Sequence, residues 1–433
     1  MAKLIKFIGK SGGTSFIGMF ILKFNPDFLS FCSKYILNEK ISITGTNGKT
    51  TTSGILAHII ESNNKTLIHN SKGANMLTGI ANAFATNINI FKRYDNCVLE
   101  SDEAYLSKLY DYIDCNYLIV TNLFRDQLDR YGELDTTAKK IQNAIDKNRN
   151  LILMLNADDP LVANLGQQNK KIYYGFESIQ FVNSEKKSNA PIETFQCVCG
   201  KSLEYEKRFF AQQGHYYCSC GYKRPKCDYE GYAKIYDDKI QISILHNEET
   251  TCYEIDTIGL YNAYNVLAAI STALELGYSQ NSIQAALNSY KAVFGRTEKV
   301  QFNKHKAVIQ LIKNPAGASE VLKTVDLNSN IIIAINDNFA DGRDVSWLWD
   351  AEFELLKGAK NTIITSGTRA YDMALRLKYA NVPTEKIKII PNILEAINSV
   401  SVSDDENQNI TIMPSYTALL KINKLRKCNA FKH

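Results

Sequence analysis

Gly45, Thr46, Asn47, Gly48, Lys49, Thr50 and Thr51 lie between an apolar, strand-like run, ISIT, and a stretch with helical character that runs to about Ser62. Two glycines let backbone N–H groups close around an anion, and the start of the following helix adds partial positive charge. A lysine at that point bridges terminal phosphates, and the hydroxyl of the next threonine is placed to ligate Mg²⁺. The run GTNGKTT therefore predicts an ATP site built from Thr46, Asn47, Gly48, Lys49, Thr50 and Thr51. The general phosphate-loop pattern wants a glycine at position 43, where this chain has Ile43. The strand–turn–helix context carries the assignment instead. A merely structural turn leaves the lysine and the three threonines after it unexplained.

A bound cation needs carboxylates. Glu100 ends the apolar run CVLE, so it projects from a strand end toward the phosphates, with Asp102 and Glu103 behind it. Glu100 is the expected second Mg²⁺ ligand beside Thr50. The bland alternative is that ESDE is an exposed acidic cap.

Four of the ten cysteines form two matched knuckles, CVCG at 197–200 and CSCG at 218–221. Thiolates paired in this way suit a closed, tetrahedral and structural Zn²⁺ site of Cys197, Cys199, Cys218 and Cys220. Each knuckle has one intervening residue where zinc ribbons more often have two. Cys227 is a spare thiol that could substitute, and His215 is expected in the same lobe. Cys97, Cys115 and Cys252 read as small buried hydrophobes. No secretory signal with a clean cleavage site precedes them, so a disulfide framework is not expected and a cytoplasmic location is.

These residues need a scaffold. The chain has 433 residues, 45% hydrophobic and 22% charged, with a net charge of +5. That suits a large globular protein of two or three domains and does not argue for nucleic acid. FIGMFILK, residues 16–23, is too short to span a bilayer and reads as a buried N-terminal helix. A membrane-surface helix is the alternative. From 41 to about 180, apolar strands alternate with amphipathic helices, which implies a mostly parallel sheet covered on both faces. Ligands on such sheets bind at the carboxyl ends of the strands, where Glu100, Asn122 and Asn156 fall. Residues 183–230 break the rhythm as a small insertion. After about 300 the alternation resumes in a second α/β unit. The expected division is an N-terminal helical segment at 1–38, an ATP-binding α/β domain at 39–298 with a zinc-ribbon insertion at about 190–230, and a C-terminal α/β domain at 299–433.

GTNGKTTT, the strand-ending Glu100, TNLFRDQLDRYGE, LNADDP, GLYNAYNVLAA and GRTE occur in one order, and as a set they resemble the Mur ligase family. The resemblance implies a central phosphate-loop domain and the ATP-driven joining of an amine to a carboxylate through an acyl phosphate. It also implies that Asn265 lies near the adenine and that Arg296 reaches the phosphates. Typical members carry histidines where this chain has Asp126-Gln127-Leu128-Asp129-Arg130-Tyr131. Amino-acid-adding members carry an aspartate–histidine–asparagine–proline stretch where this chain reads LIKNPAGAS.

RDQLDRYGE, KNPAGASE, NDNFADGRDVSWLWDAEFE and the four-cysteine insertion are similar, more narrowly, to the ligase-type subunits of lipid II isoglutaminyl synthases. That similarity implies amidation of the D-glutamate α-carboxyl in the lipid II stem peptide, with ammonia from a partner glutamine amidotransferase. It also implies that Asp350 is a functional acid that orients the partner's catalytic histidine. No cysteine here sits in a nucleophile elbow, so a partner must hydrolyse glutamine. Trp347 and Trp349, the only tryptophans, suit an interface, or else the buried face of an amphipathic helix. Two rivals remain at this stage: a Mur- or folylpolyglutamate-type ligase that adds an amino acid, and a non-catalytic nucleotide-binding regulator.

Overall fold

The strands at the centre of the molecule show no polar alternation. Asn96–Glu100 and Tyr117–Val120 are buried at every position, as strands covered by helices on both faces must be. The structure, a computed structural model, describes residues 16–71, 74–124, 134–182, 196–292, 295–302, 305–401 and 409–427. Its first sheet is built from β1 (Lys40–Thr44), β2 (Leu67–His69), β3 (Asn96–Glu100), β4 (Tyr117–Val120), β5 (Ile152–Asn156) and β6 (Lys171–Phe181). It is completed by β9 (Tyr229–Ile235), β10 (Ile240–His246) and β11 (Glu249–Ile255), in the order β11-β10-β9-β6-β5-β4-β1-β3-β2. All pairings from β2 to β9 are parallel, and β9-β10-β11 form an antiparallel edge.

Alternate residues of one strand feed two cores. Ile119 joins a cluster with the helices Lys49–Ser62 and Leu260–Glu275. Its neighbours Leu118 and Val120 join another with Leu77–Asn87 and Leu134–Ile145. The expected doubly covered parallel sheet is therefore present. β2 and β6 were not foreseen. TLIH is too short to show a pattern, and KIYYGFESIQF mixes polar with apolar residues because its far half lies toward the insertion.

The insertion contributes a hairpin, β7 (Glu204–Phe210) with β8 (Gln213–Tyr217), and a small core of Ala163, Cys197, Leu203, Tyr216 and Cys218. The second sheet runs β12 (Arg296–Phe302), β13 (His305–Gln310), β17 (Ile410–Pro414), β14 (Asn330–Ala334), β15 (Ile363–Ser366), β16 (Ile387–Ile389). It is parallel apart from the β12–β13 hairpin.

Three expectations need correction. The N-terminal helix, Phe16–Phe24, is not buried. Gly18 is its one buried residue, while Phe16, Met19, Phe20 and Phe24 are 45–70% exposed. A Cβ at Gly18 would collide with the Thr78 carbonyl, so the helix touches Leu77–Asn87 backbone to backbone along one narrow face. Cys252 is exposed, on the edge strand β11, whereas Cys97 and Cys115 are buried as expected. SWLWDAEFELL forms two short 3₁₀ turns, Ser346–Trp349 and Phe353–Gly358, not one helix. Trp347 packs half-buried against the core and Trp349 is 51% exposed. Among the described residues no helix is long and apolar enough to cross a membrane.

Candidate functional site

The phosphate turn is clamped by the end of β4. Thr46 N–H donates to the Asn122 carbonyl (2.9 Å) and Asn47 N–H to Asn122 Oδ1 (2.9 Å). The Thr121 hydroxyl donates to the Asn47 carbonyl (2.7 Å) and the Thr46 hydroxyl to the Phe124 carbonyl (3.1 Å). Gly45 and Gly48 have φ of 125° and 87°. A Cβ at Gly48 would collide with Asn265 Oδ1, so backbone conformation and close approach both require glycine there. Lys49, Thr50 and Thr51 open the helix that follows and are each 8% exposed.

Lys49 Nζ pairs with Glu103 Oε1 at 2.8 Å and also donates to the Gly45 carbonyl. Burial pulls its ammonium down, but the carboxylates of Glu103, Asp102 and Glu100 outweigh that and raise it above the ordinary lysine range. Burial and Asp102 push the Glu103 carboxyl up, and Lys49 opposes them. The alternative of an exposed acidic cap is thereby overturned: Glu100, Asp102 and Glu103 are 2%, 8% and 5% exposed.

Asn70 bonds the backbone of Glu100 on both sides, through its N–H and its carbonyl, each at 2.8 Å. One carboxylate oxygen accepts from Asn75 Nδ2 at 3.4 Å; the other, Oε2, is buried without a partner. A buried oxygen of this kind is costly unless a cation meets it. β3 lies beside β1, with Ile43 opposite Glu100. The donor set of a carboxylate oxygen at one strand end and a threonine at the adjoining helix start fits Mg²⁺.

Asn265 lies against the phosphate turn itself. Its Nδ2 faces Asn262 Oδ1 at 3.4 Å, and Asn262 bonds Thr257, Ile258 and Thr297. Arg296 begins β12, and its side chain lies outside the described residues, as does the stretch 126–131. Asp350 is exposed at the end of the first 3₁₀ turn.

The sulfurs of Cys197, Cys199, Cys218 and Cys220 all lie within 4.8 Å of one another. Two of the separations are 3.6 Å (Cys197–Cys220) and 3.7 Å (Cys199–Cys218). Zn–S bonds of about 2.3 Å in a tetrahedron give an S···S edge of about 3.8 Å, so the set fits zinc. The two knuckles are copies. Cys197 and Cys218 N–H groups donate to the Lys201 and Tyr222 carbonyls, each at 2.7 Å, and Gly200 and Gly221 have φ of 83° and 95°. Cys227 does not substitute: it lies against Arg224 Nη2 at 3.1 Å, outside the cluster.

Sequence reasoning missed two features. Glu103 as the partner of Lys49 was visible only as one of several acids in ESDE. The second feature joins the cysteine lobe to the nucleotide side. Arg224 bonds the fully buried Asp158 (2.6 Å) and Glu177 (2.7 Å), and Asp158 accepts from the hydroxyl of Tyr264, the neighbour of Asn265 (2.8 Å). Burial raises the Asp158 carboxyl and Arg224 draws it back down. LNADDP was the available signal, because two adjacent acids after a buried strand must be matched inside the fold. His215 does reach from β8 to the sheet, facing the Phe176 carbonyl at 2.9 Å.

Solved structures share this architecture. A pseudomurein peptide ligase type C from Methanothermus fervidus superposes with a TM-score of 0.69 at 22% identity, over 91% of this chain and 79% of that one. MurF ligase from Thermotoga maritima, in complex with ADP, gives 0.62 at 12% identity, over 93% and 84%. The Mur ligase middle domain model matches residues 43–213. The fold is thus that of the Mur ligases, with the phosphate turn and its acidic neighbours inside the matched middle domain.

The MurT ligase C-terminal model matches residues 311–419. Subunit MurT of the glutamine-hydrolyzing lipid II isoglutaminyl synthase from Staphylococcus aureus is 35% identical over 96% of this chain and 93% of its own length. The Streptococcus pneumoniae counterpart is 34% identical over 95% and 92%. The chain belongs to the MurT family of Mur ligases.

Proposed function

We propose that this chain is the ATP-using subunit of a lipid II isoglutaminyl synthase. It activates the D-glutamate α-carboxyl of the lipid II stem peptide as an acyl phosphate, which ammonia from a partner glutaminase then converts to D-isoglutamine. The observation that carries this reading is 35% identity with a MurT subunit over nearly the full length of both chains, in a chain that keeps a lysine-bearing phosphate turn beside a buried carboxylate.

In this reading Thr46, Asn47, Gly48, Lys49, Thr50 and Thr51 hold the triphosphate, Asn265, which lies against the turn, binds ATP toward the adenine side, and Arg296 reaches the phosphates from β12. Thr50 and Glu100 hold Mg²⁺, which when bound neutralises phosphate charge and polarises the γ-phosphoryl group. The carboxylate oxygen attacks the γ-phosphorus, and the bond to the ADP oxygen breaks. Ammonia then attacks the acyl carbon, phosphate leaves, and the proton that nitrogen loses goes to it. Zinc held by Cys197, Cys199, Cys218 and Cys220 is structural. One zinc per chain by elemental analysis checks that assignment.

The partner's surface is supported around Asp350. Trp349 stacks edge-on with Tyr379 at 5.5 Å, and Tyr371, Leu375 and Tyr379 form an exposed stripe along the helix Ala370–Tyr379. Attachment at the inner membrane face is supported at the other end of the chain. Exposed Phe16, Phe20 and Phe24 share their helix with the exposed Lys23, a pairing suited to an anionic lipid surface. Reconstitution tests the whole. Recombinant chain with ATP, Mg²⁺, ammonium and lipid II is expected to give amidated peptide and ADP in equal amounts. Intact lipid II under those conditions would sink the reading.

A further inference from the structure

The stretch after β13 folds onto the phosphate turn of the other sheet. Lys313 Nζ donates to the Thr46 carbonyl at 3.2 Å, and Asn314 Nδ2 donates to Asn47 Oδ1 at 3.0 Å. Lys49 Nζ lies 3.5 Å from the same Thr46 carbonyl. Two ammonium groups, one from each sheet, therefore converge on a single carbonyl of the turn. Asn314 also caps the helix Pro315–Lys323 by accepting from Gly317 N–H at 2.8 Å. A second helix N-terminus thus begins at the turn, next to the one that starts at Lys49, and both favour an anion there.

The two lysines are in different electrostatic positions. Lys49 is buried, ion-paired with Glu103 and influenced by Asp102 and Glu100 as well. Phosphoryl transfer spreads negative charge over the moving group, and stabilising that charge is most of the catalysis. A lysine already facing three carboxylates supplies only part of it. Lys313, half-buried at the rim, arrives on a different structural unit.

We propose that Lys313 is a catalytic residue. Its ammonium, delivered with the C-terminal sheet, contacts the terminal phosphoryl group as that group passes from ADP to the acceptor carboxylate. The bond that forms joins the carboxylate oxygen to phosphorus, and the one that breaks joins phosphorus to the β–γ bridging oxygen, which leaves with ADP. No proton moves in this step. A strut between the sheets is already supplied by Asn314 and Asn47, which makes Asn314 the internal control. The proposal rests on the ATP-using reading above.

The test compares wild type, Lys313→Met, Lys313→Arg and Asn314→Ala, each first checked for an unchanged melting transition. Lys313→Gln stands in if the methionine variant does not fold. Two readouts are taken: affinity for ADP against a non-hydrolysable ATP analogue, and single-turnover ADP formation with lipid II and ammonium. For Lys313→Met the analogue is expected to bind about tenfold more weakly with ADP affinity little changed, and ADP formation to slow about a hundredfold. Lys313→Arg recovers most of both, and Asn314→Ala weakens the two nucleotides alike. A Lys313→Met protein with the wild-type affinity ratio and rate overturns the proposal. If wild type itself does not amidate lipid II, the proposed function fails, and the affinity ratio still decides the role of Lys313.

Discussion

Two acidic regions of this molecule stand in opposite circumstances. Beyond the carboxyl end of β3, Glu100, Asp102 and Glu103 are buried against an equally buried lysine. Beyond the carboxyl end of β14, Asp350 is exposed beside the half-exposed Trp349, and Phe339 is 77% exposed. A buried acid has to be met by a cation within the fold or bound to it, because an unpaired charge in the interior is costly. An exposed acid has water and needs no such partner. The first region is therefore organised to handle charge internally, while the second presents an acid and aromatic side chains to solvent.

Lys49→Met gives the largest expected effect, an ATP turnover on the order of a thousandfold lower. It also leaves Glu103 buried with no cation, which costs about 3–5 kcal/mol of stability by itself. Lys49→Met/Glu103→Gln removes that charge and is expected to regain the stability without the turnover. If the double variant regained turnover, the buried pair would be structural and the contrast between the regions would fail. Glu100→Gln comes next: turnover falls about a hundredfold and the Mg²⁺ concentration for half-maximal rate rises. An unchanged Mg²⁺ dependence would remove Glu100 from the cation site.

The first region was far more legible in the sequence than the second. A phosphate turn is a local device, so GTNGKTT carries its chemistry within seven residues, and CVLE announces a buried strand with an acid at its end. The matched cysteine knuckles are local in the same way. What escaped is what depends on distant segments meeting. Glu103 is an ordinary acid until Lys49 lies 2.8 Å away. Lys313 and Asn314 stand in the sequence only as part of the family mark KNPAGASE, and their contact with the turn shows only once β13 brings them to it. The N-terminal helix shows the limit of composition: FIGMFILKF is apolar enough to read as core, yet its contact runs through Gly18 and its aromatic residues face outward.

Predictions at the second region are smaller and depend on the partner. Asp350→Asn is expected to slow glutamine-supported amidation on the order of tenfold to a hundredfold, with the ammonium-supported rate unchanged. A carboxylate that holds an imidazole tautomer acts on glutamine hydrolysis and not on acyl phosphate formation. Equal losses with both nitrogen sources would instead assign Asp350 to the ligase reaction and erase the division between the regions.

Trp349→Ala has the smallest expected effect and separates surface from chemistry. Trp349 is half-exposed, stacks with Tyr379, and has the Arg376 guanidinium 5.7 Å from its ring centroid. Arg376 is itself buried and bonded to the Leu348 and Ala351 carbonyls. The indole is therefore held in place before any partner arrives, and a preorganised aromatic group loses little entropy on binding. Removing an anchor of this kind costs about 1–2 kcal/mol at an interface, roughly a tenfold weaker partner affinity. Titration of the glutaminase against wild type and Trp349→Ala measures it, with the saturated glutamine-supported rate expected to stay the same. A lower rate at saturation would mean that the indole shapes the active complex as well as its assembly. An unchanged affinity would move the docking surface away from this end of the second sheet.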